Sequence, residues 1–113
     1  MSTVTEQLEL ELNAAKSLAD MGNAVKRLMK NRDFKKVILE KYFEKEPVRL
    51  VFLKGDANWS SPESQQELLS QMDAIGNFRN FLNSLMLLGD QAEGAISAYH
   101  EEIADSEAEE DAE

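Results

Sequence analysis

From Val4 to Leu28, apolar side chains return every third or fourth residue, at Val4, Leu8, Leu12, Ala15, Leu18, Met21, Val25 and Leu28. Steps of three and four put one stripe on one side of an α-helix, so the pattern predicts a helix over residues 3–30. No Pro interrupts it, and the single Gly22 costs about 1 kcal/mol relative to Ala. "NRD" then breaks the periodicity, and Asp33 reads as an N-cap for a second helix. Phe34, Val37, Ile38, Tyr42 and Phe43 continue at helical spacing, predicting a middle helix over 34–54. Pro47 has no N–H and crowds the preceding turn, so the pattern predicts a break or kink there, with Pro47 in the first turn of a restarted piece. Gly55 reads as its left-handed stop.

"GDANWSSPE" is the next connection, and Ser61, Pro62 and Glu63 form a strong helix start: a hydroxyl cap, a Pro in the first turn and an acid near the positive helix end. Leu68, Met72, Ile75, Phe78, Leu82, Leu85, Gly89, Ala92, Ile96, Tyr99 and Ile103 then follow in steps of three and four. They predict a helix over 62–104, roughly 60 Å long at 1.5 Å per residue. Gly76, Gly89 and Gly94 inside it mark either a close approach of another helix or a bend. Phe81, Met86, Leu87 and Leu88 widen the stripe, so a second cover is expected around 78–88. The middle segment, with its own Phe34, Ile38, Tyr42, Val48, Val51 and Phe52 to bury, is the natural candidate. The fold class that emerges is all-α: a long helical hairpin or three-helix, coiled-coil-like arrangement over residues 1–104.

Charge changes this picture at the C-terminus. The chain of 113 residues carries a formal −10, but "EEIADSEAEEDAE" after His100 holds eight acidic and no basic residues. Residues 105–113 are therefore expected to be a disordered acidic tail, since like-charge runs self-repel and lack apolar surface. Ten of the 12 basic residues lie between Lys26 and Lys54, interleaved with aromatic ones. Cations and rings together can bind nucleic acid. Here, though, the rings fall where a helix needs its apolar face and the total charge is acidic, so core packing is the stronger reading and nucleic acid an improbable partner. Trp59, in a polar loop, is either folded onto the core or an exposed anchor for a partner.

Chemistry is sparse. With no Cys and a single His, no disulfide framework, two-His metal site or Ser–His–Asp relay can be assembled. The glycines are scattered singly rather than gathered in a phosphate loop. The sequence predicts no enzyme activity, no cofactor and no metal. It also predicts no membrane association, because no apolar run approaches about 18 residues and nothing at the start resembles a signal peptide.

The segments "NRDFKKVILEKYFEKEPVRLV", "LKGDANWSSPESQQ" and "MDAIGNFRNFLNS", within about positions 30–95, resemble a group of small helical proteins encoded in tailed-bacteriophage genomes. The shared residues are packing and capping residues. Pro47 departs from the pattern, where a helix former such as Ala would be expected. The resemblance implies a setting among virion-structure and assembly genes and a location in the host cytoplasm or the virion, with no catalytic residues to carry over. The resulting expectation is a non-enzymatic phage protein working through helix–helix contacts, as an assembly factor, chaperone or minor structural component. Its partner would be a phage or host protein, or a second copy bound through the long C-terminal helix. Leu68, Met72, Ile96, Tyr99 and Ile103, beyond the reach of a compact three-helix core, together with Trp59, are the candidate partner-binding residues. The alternative is an acidic inhibitor that mimics nucleic-acid charge and blocks a host DNA-handling enzyme.

Overall fold

The computed structural model describes residues 3–112, and it is all-helical. Helix α1 spans Val4–Lys30 and a single turn, α2, spans Arg32–Phe34. A π-helix covers Lys35–Lys45, α3 covers Glu46–Lys54, a 3₁₀ turn covers Ala57–Trp59, and α4 runs over Pro62–Ala112. The chain divides into two compact units: residues 1–26 with 84–113, and Arg27–Asn83.

The first unit is an antiparallel pair formed by α1 and the C-terminal half of α4. Its contact is built from small residues: Ala15, Ala19 and Ala92 are buried together, with Ile96 and Tyr99 packed against them. Gly22 and Gly89 bring the two backbones into direct contact. A Cβ added at Gly22 would lie 2.8 Å from the Gly89 Cα, and one added at Gly89 would lie 2.7 Å from the Gly22 Cα. Of the three glycines expected to mark a close approach or a bend in α4, Gly89 marks a close approach; Gly76 and Gly94 have nothing within 4 Å of an added Cβ. Three polar links fix the antiparallel register. Thr5 and Ser106 share a buried 2.8 Å hydroxyl contact, Thr5 Oγ1 donates to Glu110 at 2.9 Å, and Asn23 Nδ2 donates to Glu93 at 2.8 Å.

The acidic C-terminus departs from expectation. Of residues 105–113, predicted to be a disordered tail, 105–112 continue α4 and Glu113 lies outside the described residues. Ser106 and Glu110 hold this stretch against Thr5, and Glu and Ala are good helix formers, which together outweigh the like-charge repulsion.

The second unit packs the middle segment antiparallel to the first part of α4. Leu50, Leu68 and Ile75 form its core, surrounded by Tyr42, Phe43, Leu53, Trp59 and Met72. Tyr42, Phe43 and Phe78 add a tilted aromatic triad with centroids 5.6–6.3 Å apart, a spacing at which ring pairs attract beyond their buried area. The middle helix starts two residues earlier than predicted: Asn31, not Asp33, is its N-cap, its Oδ1 accepting from Phe34 N–H at 2.9 Å. The π-helix answers the question posed by Pro47. An i→i+5 ladder advances about 4.4 residues per turn, so Phe34, Ile38 and Leu39, Tyr42 and Phe43, and Pro47 fall on one stripe, and all of them are half-buried, as is Glu46 beside Pro47. Glu46 N–H closes the wide ladder on Lys41 C=O, and Pro47 then sits in the first turn of α3 as expected. There is a change of helical register rather than a gap.

Gly55 ends α3, but with φ −88° rather than in the left-handed region, which no described residue occupies. The turn is held by side chains instead. Gln65 Nε2 donates to Trp59 C=O at 2.7 Å and to Lys54 C=O, and its Oε1 accepts from Lys54 Nζ at 3.0 Å. Ser61 caps α4 as predicted, its hydroxyl accepting from Ser64 N–H at 3.1 Å.

Candidate functional site

The residues predicted to need a partner are largely satisfied by the chain itself. Leu68 is fully buried against Leu50, and Met72 and Trp59 are half-buried around them, so Leu68 offers no surface to a second copy. The reach of the middle segment was underestimated: the π-helix and α3 together lie along α4 from Gln65 to Phe78. Trp59 takes the folded-on alternative, with its carbonyl held by Gln65. In the first unit Ile96 and Tyr99 pack on the alanine cluster, and Ile103 is half-buried. None of the six is fully exposed.

The exposed apolar surface lies elsewhere. Thirteen large apolar side chains among the described residues are exposed, more than the nine apolar residues that make up the core. Three of them share one face of α3: Val48 at 53 %, Val51 at 61 % and Phe52 at 74 % exposure, beside a fully buried Leu50. Sequence reasoning assigned all three to the cover over α4. The signal against this was present in "PVRLVFLK", where five apolar residues in six positions exceed what one face of a nine-residue helix can bury. Phe81, Leu87 and Leu88, predicted to be covered, are exposed as well.

Two clefts accompany these surfaces in the first unit. One, of about 310 Å³, runs beside the small-residue contact and is lined by Ala14, Leu18, Leu88, Ala95 and Tyr99 among others. The other, of about 390 Å³, is lined by Val4 and Leu8 and by Glu102, Asp105, Glu109 and Glu110. No group of three or more His, Asp or Glu side chains among the described residues is arranged to hold a metal ion. No helix among them is long and apolar enough to cross a membrane.

The electrostatics divide by unit. Residues 1–26 and 84–113 carry 14 acidic and two basic side chains, a net of −12, whereas 27–83 carry eight acidic and ten basic, a net of +2. Two ion pairs form among the described residues. Lys26 pairs with Asp90, whose hydrogen bond holds the ammonium above its ordinary range, with Glu93 adding to the effect. Arg49 pairs with Glu46, and its hydrogen bond holds that carboxyl below the usual range. Lys30 at the end of α1, Arg32 in α2, and Lys35, Lys36, Lys41 and Lys45 on the π-helix are exposed and make no ion pair among the described residues; Glu40 and Glu44 are exposed among them.

Taken together, the arrangement provides apolar helix faces edged by charge. Comparison of the chain with protein-family models, with curated proteins and with solved structures finds no match.

Proposed function

We propose that the protein is a non-catalytic interaction protein that works through helix–helix contacts, and that it serves bacteriophage virion assembly as an assembly factor, chaperone or minor structural component. The observation that carries this reading is the Val48, Val51 and Phe52 face: large side chains on a short helix left to solvent beside a core that is already closed. Contiguous apolar patches of this kind mark interaction sites on stable proteins, and an amphipathic helix face is a common docking element. The phage setting rests on the resemblance of residues 30–95 to small tailed-phage proteins. Photo-crosslinking from positions 52 and 88 in infected cells tests the reading. The expected result is a discrete phage or host protein attached at one of them and absent from a control at Asp73. Failure to capture any protein from either position refutes it.

A second reading, a nucleic-acid mimic that blocks a host DNA-handling enzyme, draws support from the net −12 of the first unit and from the helical state of 105–111, which gives the carboxylates a fixed spacing. Changing Glu101, Glu102, Glu107 and Glu109 to Gln separates the two: a mimic loses its target, whereas a partner gripped through α3 is retained.

A further inference from the structure

We propose that the middle segment has two packing registers: conversion of the π-helix to an α-helix turns α3 about its own axis by roughly half a turn and exchanges Leu50 for Phe52 against α4. The inference goes beyond the helix-contact reading and stands without it. It concerns when the Val48, Val51 and Phe52 face is presented, not what binds there.

The two ladders supply the geometry. An i→i+5 ladder turns about 82° per residue, and an α-helix about 100°. Over the 11 residues of Lys35–Lys45 the difference amounts to about 200°. Counted from Phe34, the π register puts Leu50 about 40° away and Phe52 about 160° away, as their full burial and exposure require. With α geometry throughout, the two change places. Phe52 follows Phe34 by 18 residues, about five α turns, and falls in line with it, while Leu50 lies about 160° round.

The side chains suit both registers. All four exposed large apolar residues of the middle segment, Val37, Val48, Val51 and Phe52, join Phe34 and Ile38 in one α stripe about 140° wide. A π-helix of this length is itself unusual, since such turns occur mostly singly and often at functional sites. What holds the π register is equally visible. The α register would turn Leu39 and Phe43 away from α4. It would also bring Lys41 and Lys45 to the middle of the buried stripe and Glu44 to its edge, and all three are exposed in the structure. At the far end Gln65 clasps Lys54 and the Trp59 carbonyl. Removing those charges or that clasp should favour the turned register.

The chain has no Cys, so single introduced thiols report each face. In the otherwise native chain Val48→Cys and Phe52→Cys should label fast and Leu50→Cys slowly. Adding Lys41→Leu with Lys45→Leu should invert this. Labelling at 50 should rise and labelling at 48 and 52 should fall, each by about tenfold or more, because burial of one Leu suffices for that factor. Gln65→Ala should move all three in the same directions. In the native chain, relaxation dispersion should show exchange at Val48, Leu50 and Phe52 on the μs–ms timescale of helix register shifts. Circular dichroism shows that each variant is folded, and the two exposed positions read the turn even where Leu50→Cys does not fold. Faster labelling at 50 without slowing at 48 and 52 means that α3 opens rather than turns, and overturns the proposal. Protection at 52 that fades on dilution reports association between chains and overturns it too. So do rates that ignore the Lys substitutions, or a native chain without exchange at these positions. Inverted labelling that is independent of concentration supports the turn, whether or not position 52 cross-links to another protein.

Discussion

The four glycines of the long helices form a series in which one substitution, Gly→Ala, should change sign with position. At Gly76 and Gly94 an added Cβ meets nothing within 4 Å. The change there acts through the backbone alone, and the higher helix propensity of Ala should stabilise the protein by up to about 1 kcal/mol. At Gly22 the same methyl lies 2.8 Å from the Gly89 Cα and 3.1 Å from the Leu85 carbonyl oxygen. Both are backbone atoms, so no rotamer change relieves the clash. Carbon atoms settle at about 3.5–4.0 Å, and the helices must separate locally by about 1 Å. A gap of that size loosens the Ala15, Ala19 and Ala92 contact, and overpacking of this kind costs about 1–3 kcal/mol. Set against the propensity gain, Gly22→Ala and Gly89→Ala should be neutral to destabilising by about 2 kcal/mol. They should fall about 1–3 kcal/mol below Gly94→Ala. Urea unfolding followed by circular dichroism gives the four values. If Gly22→Ala and Gly89→Ala stabilise as much as Gly94→Ala, the backbones do not touch there and the account of the first unit is wrong.

Other consequences can be checked in the same assay. Leu68→Ala should cost about 2–5 kcal/mol, since Leu68 and Leu50 are the two largest fully buried side chains; a loss below 1 kcal/mol would show that the second core is not closed. Thr5→Val should cost about 1–2 kcal/mol by leaving the buried Ser106 hydroxyl without its partner. Adding Ser106→Ala should recover part of that loss, and hydrogen exchange over 105–111 should accelerate in the single variant. Lys26 has an ordinary value of 10.5 that Asp90 raises in the fold. Its contribution is therefore full below the unfolded value and is lost as pH rises through the higher folded one, so Lys26→Met should remove the part of the alkaline decline that this pair causes.

Much of this architecture is legible in residue spacing. The apolar stripes of α1 and α4, the Ser61 cap and the loop at Trp59 follow from periodicity and capping chemistry, because those features depend on near neighbours. The glycine contact was half legible: Gly89 signalled a close approach, but only the antiparallel register, set by pairs such as Thr5 with Ser106, identifies Gly22 as its partner. Three things were not legible. The π-helix escapes any search that assumes 3.6 residues per turn, although the steps from Phe34 to Ile38 and Leu39, to Phe43 and to Pro47 average slightly more than four. The helical state of 105–111 depends on contacts with Thr5, which a composition argument cannot see. The burial of Leu68 and the exposure of the α3 face escaped the sequence for a related reason. Leu68 and Met72 looked unshielded only because the middle segment was taken to be too short to reach them, and α3 was assumed to bury the face that it exposes.

That choice of face bears on why Phe52 is there at all. Within α3, Leu50 and Leu53 point inward and Val48, Val51 and Phe52 outward, and the Gln65 bonds to Lys54 and Trp59 fix that rotation from the C-terminal end. The fold thus closes without Phe52. A side chain that contributes nothing to its own core should be replaceable at little cost, because surface changes away from packed features stay within about 0.5 kcal/mol. Phe52→Ser should leave the unfolding free energy of the chain within that margin. Leu50→Ser, two residues away, should break the packing of the second core. If Phe52→Ser instead destabilises the isolated chain by about 2 kcal/mol or more, the size of effect seen on truncating buried aromatic residues, then Phe52 is shielded within its own chain. The face would no longer be free for any partner, and the interaction reading would lose the observation that carries it.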